Sequence, residues 1–394
     1  MNKNTTITGQ LSTTAKGTGF VSVEESDDKN QDIMIEPGKT GLALHGDTVE
    51  VELIVDPNID RQTGRVVKVI EQARREYIGT VDKKATVCFV KPDNYKIHKD
   101  FFLPRSESEK VESGDKVQVK IVKWDDPKQA PLAEVIKVLG KKGDHETEMQ
   151  SILFEQNIID EFPEVVKRQA QKIAEDRDKI FAQALKDTHR EDCRHLKTTT
   201  IDPADAKDFD DALSVEWHDE SASHVTIAVH IADVSHFVTP GSALDREAFE
   251  RSFSTYLVDR TIPMLPSELS NDLCSLNPNT DRLAFSGFFE FKNSQLISSR
   301  FSKTIIHSDR RFTYEEAQAV IEGAADPHSK DIVFMNELAL VLKDRRLKAG
   351  AIEFGDNEVK FELDENKKPI GVYPYERKEA HKMVEEFMLL CNQE

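Results

Sequence analysis

Along the first third of the chain, apolar and polar residues alternate with a period of two. Val49, Val51 and Leu53 share one face, and Val117, Val119 and Ile121 repeat the pattern about 70 residues later. This is the pattern of strands buried on one side only. The two runs belong to an internal repeat: "ITGQL" (7–11) corresponds to "YIGTV" (77–81), and "GDTVEVELI" (46–54) to "GDKVQVKIV" (114–122). Between them, the segment beginning "FVSV" at 20 corresponds to that beginning "FVKP" at 89, and the spacing of the blocks differs by one residue between copies. The Gly-Asp before each last strand is a turn signal. Several short strands in so short a span predict two small five-stranded barrels of the OB type, over 1–72 and 73–140.

The period then changes. Over 141–195 Val165, Val166, Ala170, Ile173 and Ala174 follow a helical stripe, and Pro163 suits the first turn of a helix. This stretch reads as a helical connector. From 196 to 394 strand-like runs alternate with helical ones, which predicts a mixed α/β domain. "SHVTIAVHIADVSHFV" (223–238) is its clearest strand region, and "RRFTYEEAQAVIEGA" (310–324) leads from a strand into a helix that Gly323 closes. The last helix places Met383, Val384, Phe387, Met388 and Cys391 on one face, with no capping residue after it. We therefore expect the α/β domain to continue beyond 394.

The barrels read either as structural modules or as cold-shock-like nucleic-acid binders. "KGTGFVSV" (16–23) favours the second reading, because glycines allow close approach of a ligand and Phe20 offers a ring for base stacking. The second copy lacks those glycines; His98, Phe101 and Phe102 could take their place, although one of two adjacent strand residues must face the core. Composition complicates the picture. Hydrophobic residues make up 38% and charged residues 32%, as in a soluble globular protein, yet the formal net charge is −19. Nucleic-acid binders usually carry a basic surface. Such a charge fits one only if the polymer is gripped in a narrow channel and carboxylates gather where metal ions bind. Cys88, Cys193, Cys274 and Cys391 form no CxxC pair, which points to a reducing cytoplasm. No apolar run reaches the roughly 18 residues of a membrane span.

"IDPADAKDFDDALS" (201–214) sets five aspartates, Asp202, Asp205, Asp208, Asp210 and Asp211, among apolar residues that belong to a core. In an extended 208–211, Asp208 and Asp210 share one face while Phe209 and Asp211 take the other. A turn at 203–207, where Pro203 breaks a regular strand, could return Asp202 to their side. Clustered carboxylates repel, and a divalent cation such as Mg²⁺, which takes hard oxygen ligands, would relieve that repulsion and support attack of water on a phosphodiester. An acidic surface loop is the competing reading; an EF-hand is excluded by the spacing and the lack of a central glycine. "HIADVSH" offers His230, Asp233 and His236 as a ligand-like set. On a strand, however, His230 and His236 face away from Asp233, which favours structural roles.

Taken together, "REDCRHLKTTTIDPADAKDFDDALS" (190–214), "VHIADVSHFV" (229–238), "STYLVDRTIPMLPSELSNDLCSLNP" (254–278) and "HKMVEEFMLLCN" (381–392) resemble, in order, the catalytic domain of the ribonuclease II/ribonuclease R (RNB) family. The resemblance is closer to the ribonuclease R branch, and the barrels match that family's paired cold-shock domains. It implies a magnesium-dependent, processive 3′→5′ exoribonuclease that hydrolyses single-stranded RNA with a free 3′ end to nucleoside 5′-monophosphates. It implies Asp202, Asp208, Asp210 and Asp211 as catalytic, metal-holding acids and leaves Asp205 without a role. Tyr256 resembles the tyrosine that contacts the 3′-terminal nucleotide, Tyr314 and Phe354 the aromatic pair that stacks on bases near the cleavage site, and Glu385 the acid that contacts the last nucleotide. Stacking of this kind tolerates any base and contributes roughly 1–3 kcal/mol per base. Members of the family continue with an arginine near the leaving phosphate and an S1 domain, neither of which occurs in the 394 residues. The expectation is therefore a weakly active or inactive chain from an exoribonuclease parent, with no membrane or protein partner evident. The alternative is a non-catalytic RNA-binding protein that uses its barrels.

Overall fold

A computed structural model of the chain describes residues 6–22, 32–54, 61–221, 223–352 and 359–394. Its packing separates two units, Met1–Asp160 and Glu161–Glu394.

The first unit contains two closed five-stranded barrels. The first barrel consists of β1 (Thr6–Thr13), β2 (Gly19–Val21), β3 (Ile33–Ile35), β4 (Thr48–Ile54) and β5 (Thr63–Glu71). The second consists of β6 (Glu76–Lys83), β7 (Cys88–Pro92), β8 (Phe101–Leu103), β9 (Asp115–Lys123) and β10 (Leu132–Lys141), with the short α1 (Arg105–Ser108) between β8 and β9. Each closes by one parallel pairing, β3 with β5 and β8 with β10. The predicted alternation is real: Val49 and Val51 are fully buried in the first core, as are Val117 and Val119 in the second.

The repeat also carries a steric requirement. Gly9 and Gly79 occupy the same place in "ITGQL" and "YIGTV". A Cβ on Gly9 would lie 2.5 Å from the Ser22 carbonyl oxygen, and one on Gly79 2.4 Å from that of Lys91. At both points neighbouring backbones cross too closely for any side chain. The glycines of "KGTGF" are likewise explained by packing. Gly17 adopts φ +79° against the His98 ring, and a Cβ on Gly19 would meet Leu11 at 2.8 Å.

The stretch read as one connector over 141–195 is shared between the two units. Within the first, α2 (His145–Glu155) follows directly from β10 and buries Met149 and Leu153. Within the second, α3 (Glu164–Glu175) and α4 (Arg177–Ala184) pack through Val166, Ala170 and Ala184, whereas Val165 is exposed.

The rest of the second unit is built on one strongly bent sheet. Its strands are β11 (Arg190–Asp192), β12 (Thr198–Asp202), β13 (Asp211–Trp217), β14 (His224–Ala232), β17 (Thr280–Lys292) and β18 (Gln295–Thr313). Pairings run from β18 through β12, β13, β14 and β17 and return to β18, with β11 added on the β18 edge. Between β14 and β17 come α5 (Val234–Phe237), α6 (Ala243–Arg251) and the small pair β15 (Thr255–Tyr256) and β16 (Thr261–Ile262). After β18 follow α7 (Tyr314–Ile321), α8 (Ser329–Lys348), the hairpin β19 (Val359–Leu363) and β20 (Pro369–Pro374), and α9 (Glu379–Gln393). Helices α7, α8 and α9 cover one face of the sheet. There Leu213, Ile227, Val229, Phe289 and Phe312 pack against Val320, Met335, Met383 and Phe387.

The opposite face combines an apolar cluster that includes Ala228, Phe288 and Ile306 with buried polar groups. His230 is fully buried, with its Nε2 2.8 Å from Ser214 Oγ and its Nδ1 2.7 Å from Ser286 Oγ. Burial lowers its pKa to about 3, so the ring is neutral at physiological pH. Asp233 accepts a 2.6 Å hydrogen bond from Arg190, which is itself buried and also donates to the Thr304 carbonyl. His230 and Asp233 are thereby accounted for as structure, but the strand expected over 223–238 ends at Ala232, so His236 lies on α5 with its ring edge-on to Phe237 at 5.4 Å.

Replacing Gly79 by alanine should lower the stability of the first unit by ~1–3 kcal/mol, the range for forcing atoms into filled space. Urea unfolding of the variant, read as a drop in midpoint at unchanged slope, checks this.

Candidate active site

The acidic segment is a loop that leaves one strand and returns on the next. β12 and β13 are antiparallel neighbours, so the last residue of one, Asp202, and the first of the other, Asp211, lie at the same end of the sheet. The turn expected at 203–207 is present, closed by the Ala206 N–H donating to the Pro203 carbonyl at 3.1 Å. Three anchors hold the loop down. Ser275 Oγ accepts from the Phe209 N–H at 3.0 Å and donates to the Lys207 carbonyl at 2.9 Å. The Leu276 N–H donates to the Phe209 carbonyl, and Arg311 donates to the Pro203 carbonyl at 2.5 Å. Phe209 is buried among Ala212, Leu276 and Ile306. Phe209 and Ala212 are core and tie the end of the loop to the domain, whereas Ala204 lies at the surface. Asp205 is exposed at the crest of the loop.

The electrostatic consequence is visible in three of the acids. Burial, then the charge of Asp211, pushes the Asp202 carboxyl up to about 7. Burial and the charge of Asp208 raise Asp210 to about 6; burial and Asp210 raise Asp211 to about 6. Asp210 keeps an exposed surface, so solvent screens it more than the other two. Asp202 Oδ2 is buried and has no hydrogen-bond partner among the described residues. Among those residues no three acidic, histidine or cysteine side chains are gathered tightly enough to form a metal cage. The chemistry nonetheless fits a divalent cation: a buried carboxylate oxygen lacks a partner among the described residues, and burial together with neighbouring carboxylates raises three of the acids.

The aromatic residues divide. Tyr256, on β15, is exposed, and its hydroxyl donates to Asp208 Oδ2 at 3.3 Å, which brings its ring to the acids. Tyr314 is the first residue of α7, directly after Thr313, which pairs with Asp202 across β12 and β18. Thr313 caps that helix by accepting from the Glu316 N–H at 3.0 Å, with Glu316 returning the bond, so the start of α7 is fixed beside the acids. Burial, together with the charges of Asp202 and Asp211, raises the Tyr314 phenol. Glu385, on α9, pairs with Arg377 at the surface, while its neighbour Glu386 is buried against Arg346. Phe354 lies outside the described residues. In the first unit Phe20 is half-buried, with the Arg61 guanidinium 4.9 Å from its ring centre. In the second barrel Phe101 faces the core, while Phe102 faces outward, edge-on to Phe89 at 5.7 Å.

Sequence reasoning missed Arg311, Ser275 and His381. The Arg311 charge opposes the rise at Asp202, and its guanidinium sits 5.4 Å over the Phe209 ring. Ser275 and Arg311 reach the loop, and His381 reaches Tyr314, from distant parts of the chain, so no local pattern reveals them.

Because the folded protein holds Asp202 near 7 and the unfolded chain near 3.8, the folded state binds more protons across that interval. Stability supplied by the protonated carboxyl is present below about pH 4 and lost as pH rises through about 7. In a chelator-treated protein, Asp202→Asn should raise stability at pH 8 by ~1–3 kcal/mol and leave it unchanged at pH 4. Thermal unfolding at the two pH values measures it.

Comparison with known proteins agrees with this geometry. Residues 190–394 match the RNB domain, 9–69 the ribonuclease B OB domain and 89–163 a cold shock domain. Ribonuclease R of Thermotoga maritima is 38% identical over 388 residues, 95% of this chain and 53% of that protein. Ribonuclease R of Aquifex aeolicus is 33% identical over 394 residues, 98% of this chain and 54% of that protein. The chain thus spans about half the length of these relatives. Among solved structures, Mycoplasma genitalium RNase R in complex with ribose-methylated single-stranded RNA superposes with a TM-score of 0.86 at 26% identity, covering 98% of this chain and 60% of that one. Yeast Ssd1, a pseudonuclease, shares the fold at a TM-score of 0.65 and 17% identity, over 98% of this chain and 54% of its own. With an acidic loop inside the matched domain and two OB-type barrels ahead of it, the chain belongs to the RNB family and is similar to ribonuclease R.

Proposed function

We propose that the protein carrying this chain is a processive 3′→5′ exoribonuclease acting on single-stranded RNA with a free 3′ end. The observation that carries the reading is Tyr256: an exposed ring whose hydroxyl is bonded to Asp208 at the mouth of a desolvated carboxylate cluster. An exposed aromatic is a sequence-tolerant surface for the terminal base, and here it lies beside the groups suited to phosphodiester chemistry. The homology to ribonuclease R and the match to the RNB domain support the same assignment.

In this reading Asp202, Asp208, Asp210 and Asp211 would hold a divalent cation, Mg²⁺ by its preference for carboxylate oxygen. When bound, such an ion would neutralise the phosphate and help generate the attacking hydroxide. The protein's own part is orientation. Tyr256 and Tyr314 would hold the last nucleotides, and Glu385 would contact the terminal one. Water adds to the phosphorus of the terminal linkage and the P–O3′ bond breaks. A proton of the water passes to solvent or a carboxylate and the departing O3′ takes one up from solvent, so the shortened RNA ends in a 3′-hydroxyl and the released unit is a nucleoside 5′-monophosphate. Phe20, and the outward pair Phe89 and Phe102, would contact the strand on the barrels.

With 5′-labelled single-stranded RNA and Mg²⁺, the full-length protein should shorten the strand from its 3′ end and release 5′-monophosphates. Asp210→Asn should lower kcat by at least ~10²-fold while RNA binding persists. RNA binding without any mononucleotide release would favour the alternative, a non-catalytic RNA-binding protein. Undiminished cleavage by Asp210→Asn would place the chemistry elsewhere.

A further inference from the structure

Tyr314 is held by a ring stack with His381, a residue to which the resemblance assigns no role. The His381 imidazole lies against it with centroids 3.8 Å apart and planes 12° from parallel. His381 is in turn fixed at both nitrogens. The Lys378 N–H at the start of α9 donates to Nδ1 at 3.1 Å, and Tyr375 Oη lies 2.5 Å from Nε2. Since Nδ1 is accepting, the neutral ring carries its proton on Nε2 and donates it to Tyr375. The Tyr375 ring stands edge-on to His381 at 5.5 Å, with Lys360 Nζ 3.9 Å over its face. A chain of side chains thus runs from β19 through Tyr375 and His381 to Tyr314, whose phenol feels the charges of Asp202 and Asp211.

We propose that His381 is the positioning residue for Tyr314: it locks the tyrosine ring at the start of α7, next to the Thr313 that pairs with Asp202, so that the RNA-contacting group is ordered before substrate arrives. The proposal rests on the reading of Tyr314 as an RNA contact. Its physical basis is preorganisation. A tyrosine free to rotate must be ordered on binding, at a cost of about 0.5–1.5 kcal/mol, which corresponds to a roughly two- to twelvefold loss of affinity. Removing His381 should therefore weaken substrate capture more than the chemical step.

The test is a double-mutant cycle in the full-length protein, with Mg²⁺ and a single-stranded RNA oligonucleotide. His381→Ala should raise KM about three- to tenfold with kcat within about twofold. His381→Phe, which keeps the stacked ring but loses both hydrogen bonds, should show a smaller rise. In a Tyr314→Ala background, adding either His381 change should produce no further rise in KM. Additive effects of the two substitutions, or a fall in kcat at constant KM, overturn the proposal and leave the exoribonuclease reading standing. A Tyr314→Ala protein with the KM of wild type sinks both the role of Tyr314 and this inference. Should His381→Ala fail to fold, the cycle built on His381→Phe decides by the same criterion.

Discussion

Like charges held out of water dominate this molecule. Asp202 and Asp211 are fixed at one end of a sheet and partly buried, with the more exposed Asp210 beside them, and burial and neighbouring carboxylates raise the pKa of all three. A chain free to relax would swing the partly buried pair into solvent. Here it cannot, because Phe209 and Ala212 are anchored in the core and Ser275 fastens the loop through the Phe209 N–H and the Lys207 carbonyl. Hydrophobic packing offsets the electrostatic cost and holds the strain where a cation and a phosphate could relieve it. Such stored strain is how a functional site differs from a stability-optimised loop.

The rest of the second unit serves that arrangement. β18 is long enough to pair with both β17 and β12, and so it delivers Thr313 beside Asp202 and starts α7 with Tyr314 directly after it. Helices α7, α8 and α9 seal one face of the sheet and bring His381 onto Tyr314. The opposite face is braced by the neutral His230 between two serines and by the buried Arg190–Asp233 pair. A buried pair of this kind specifies geometry more than it adds stability.

Much of this was legible in the chain, and the reason is periodicity. Local alternation at Val49–Leu53 and Val117–Ile121 reports directly on which face a strand buries, so the tandem barrels could be read as a repeat. The acid segment stood out because its aspartates are interleaved with residues that pattern as core, and Phe209, Ala212 and Leu213 are indeed buried. What could not be read depends on contacts between residues far apart in sequence. Ser275 lies 66 residues from Phe209, and Arg311 lies 108 from the carbonyl it holds. Gly9, Gly17, Gly19 and Gly79 were ambiguous for a related reason: a glycine in a strand signals close approach without saying of what, and here it is other protein atoms. The helical stripe over 165–174 misjudged Val165, which faces water, because a stripe alone does not define the width of the surface it meets.

The central claim is that these carboxylates await a divalent cation, and ligand linkage tests it most directly. A species that binds the folded state alone raises its unfolding temperature, by an amount that grows with the logarithm of its concentration above its Kd. At pH 8, adding Mg²⁺ to the chelator-treated protein should raise the unfolding temperature of wild type and leave that of an Asp202→Asn, Asp210→Asn double variant unchanged. An equal shift in both proteins, or none in wild type, would contradict the account.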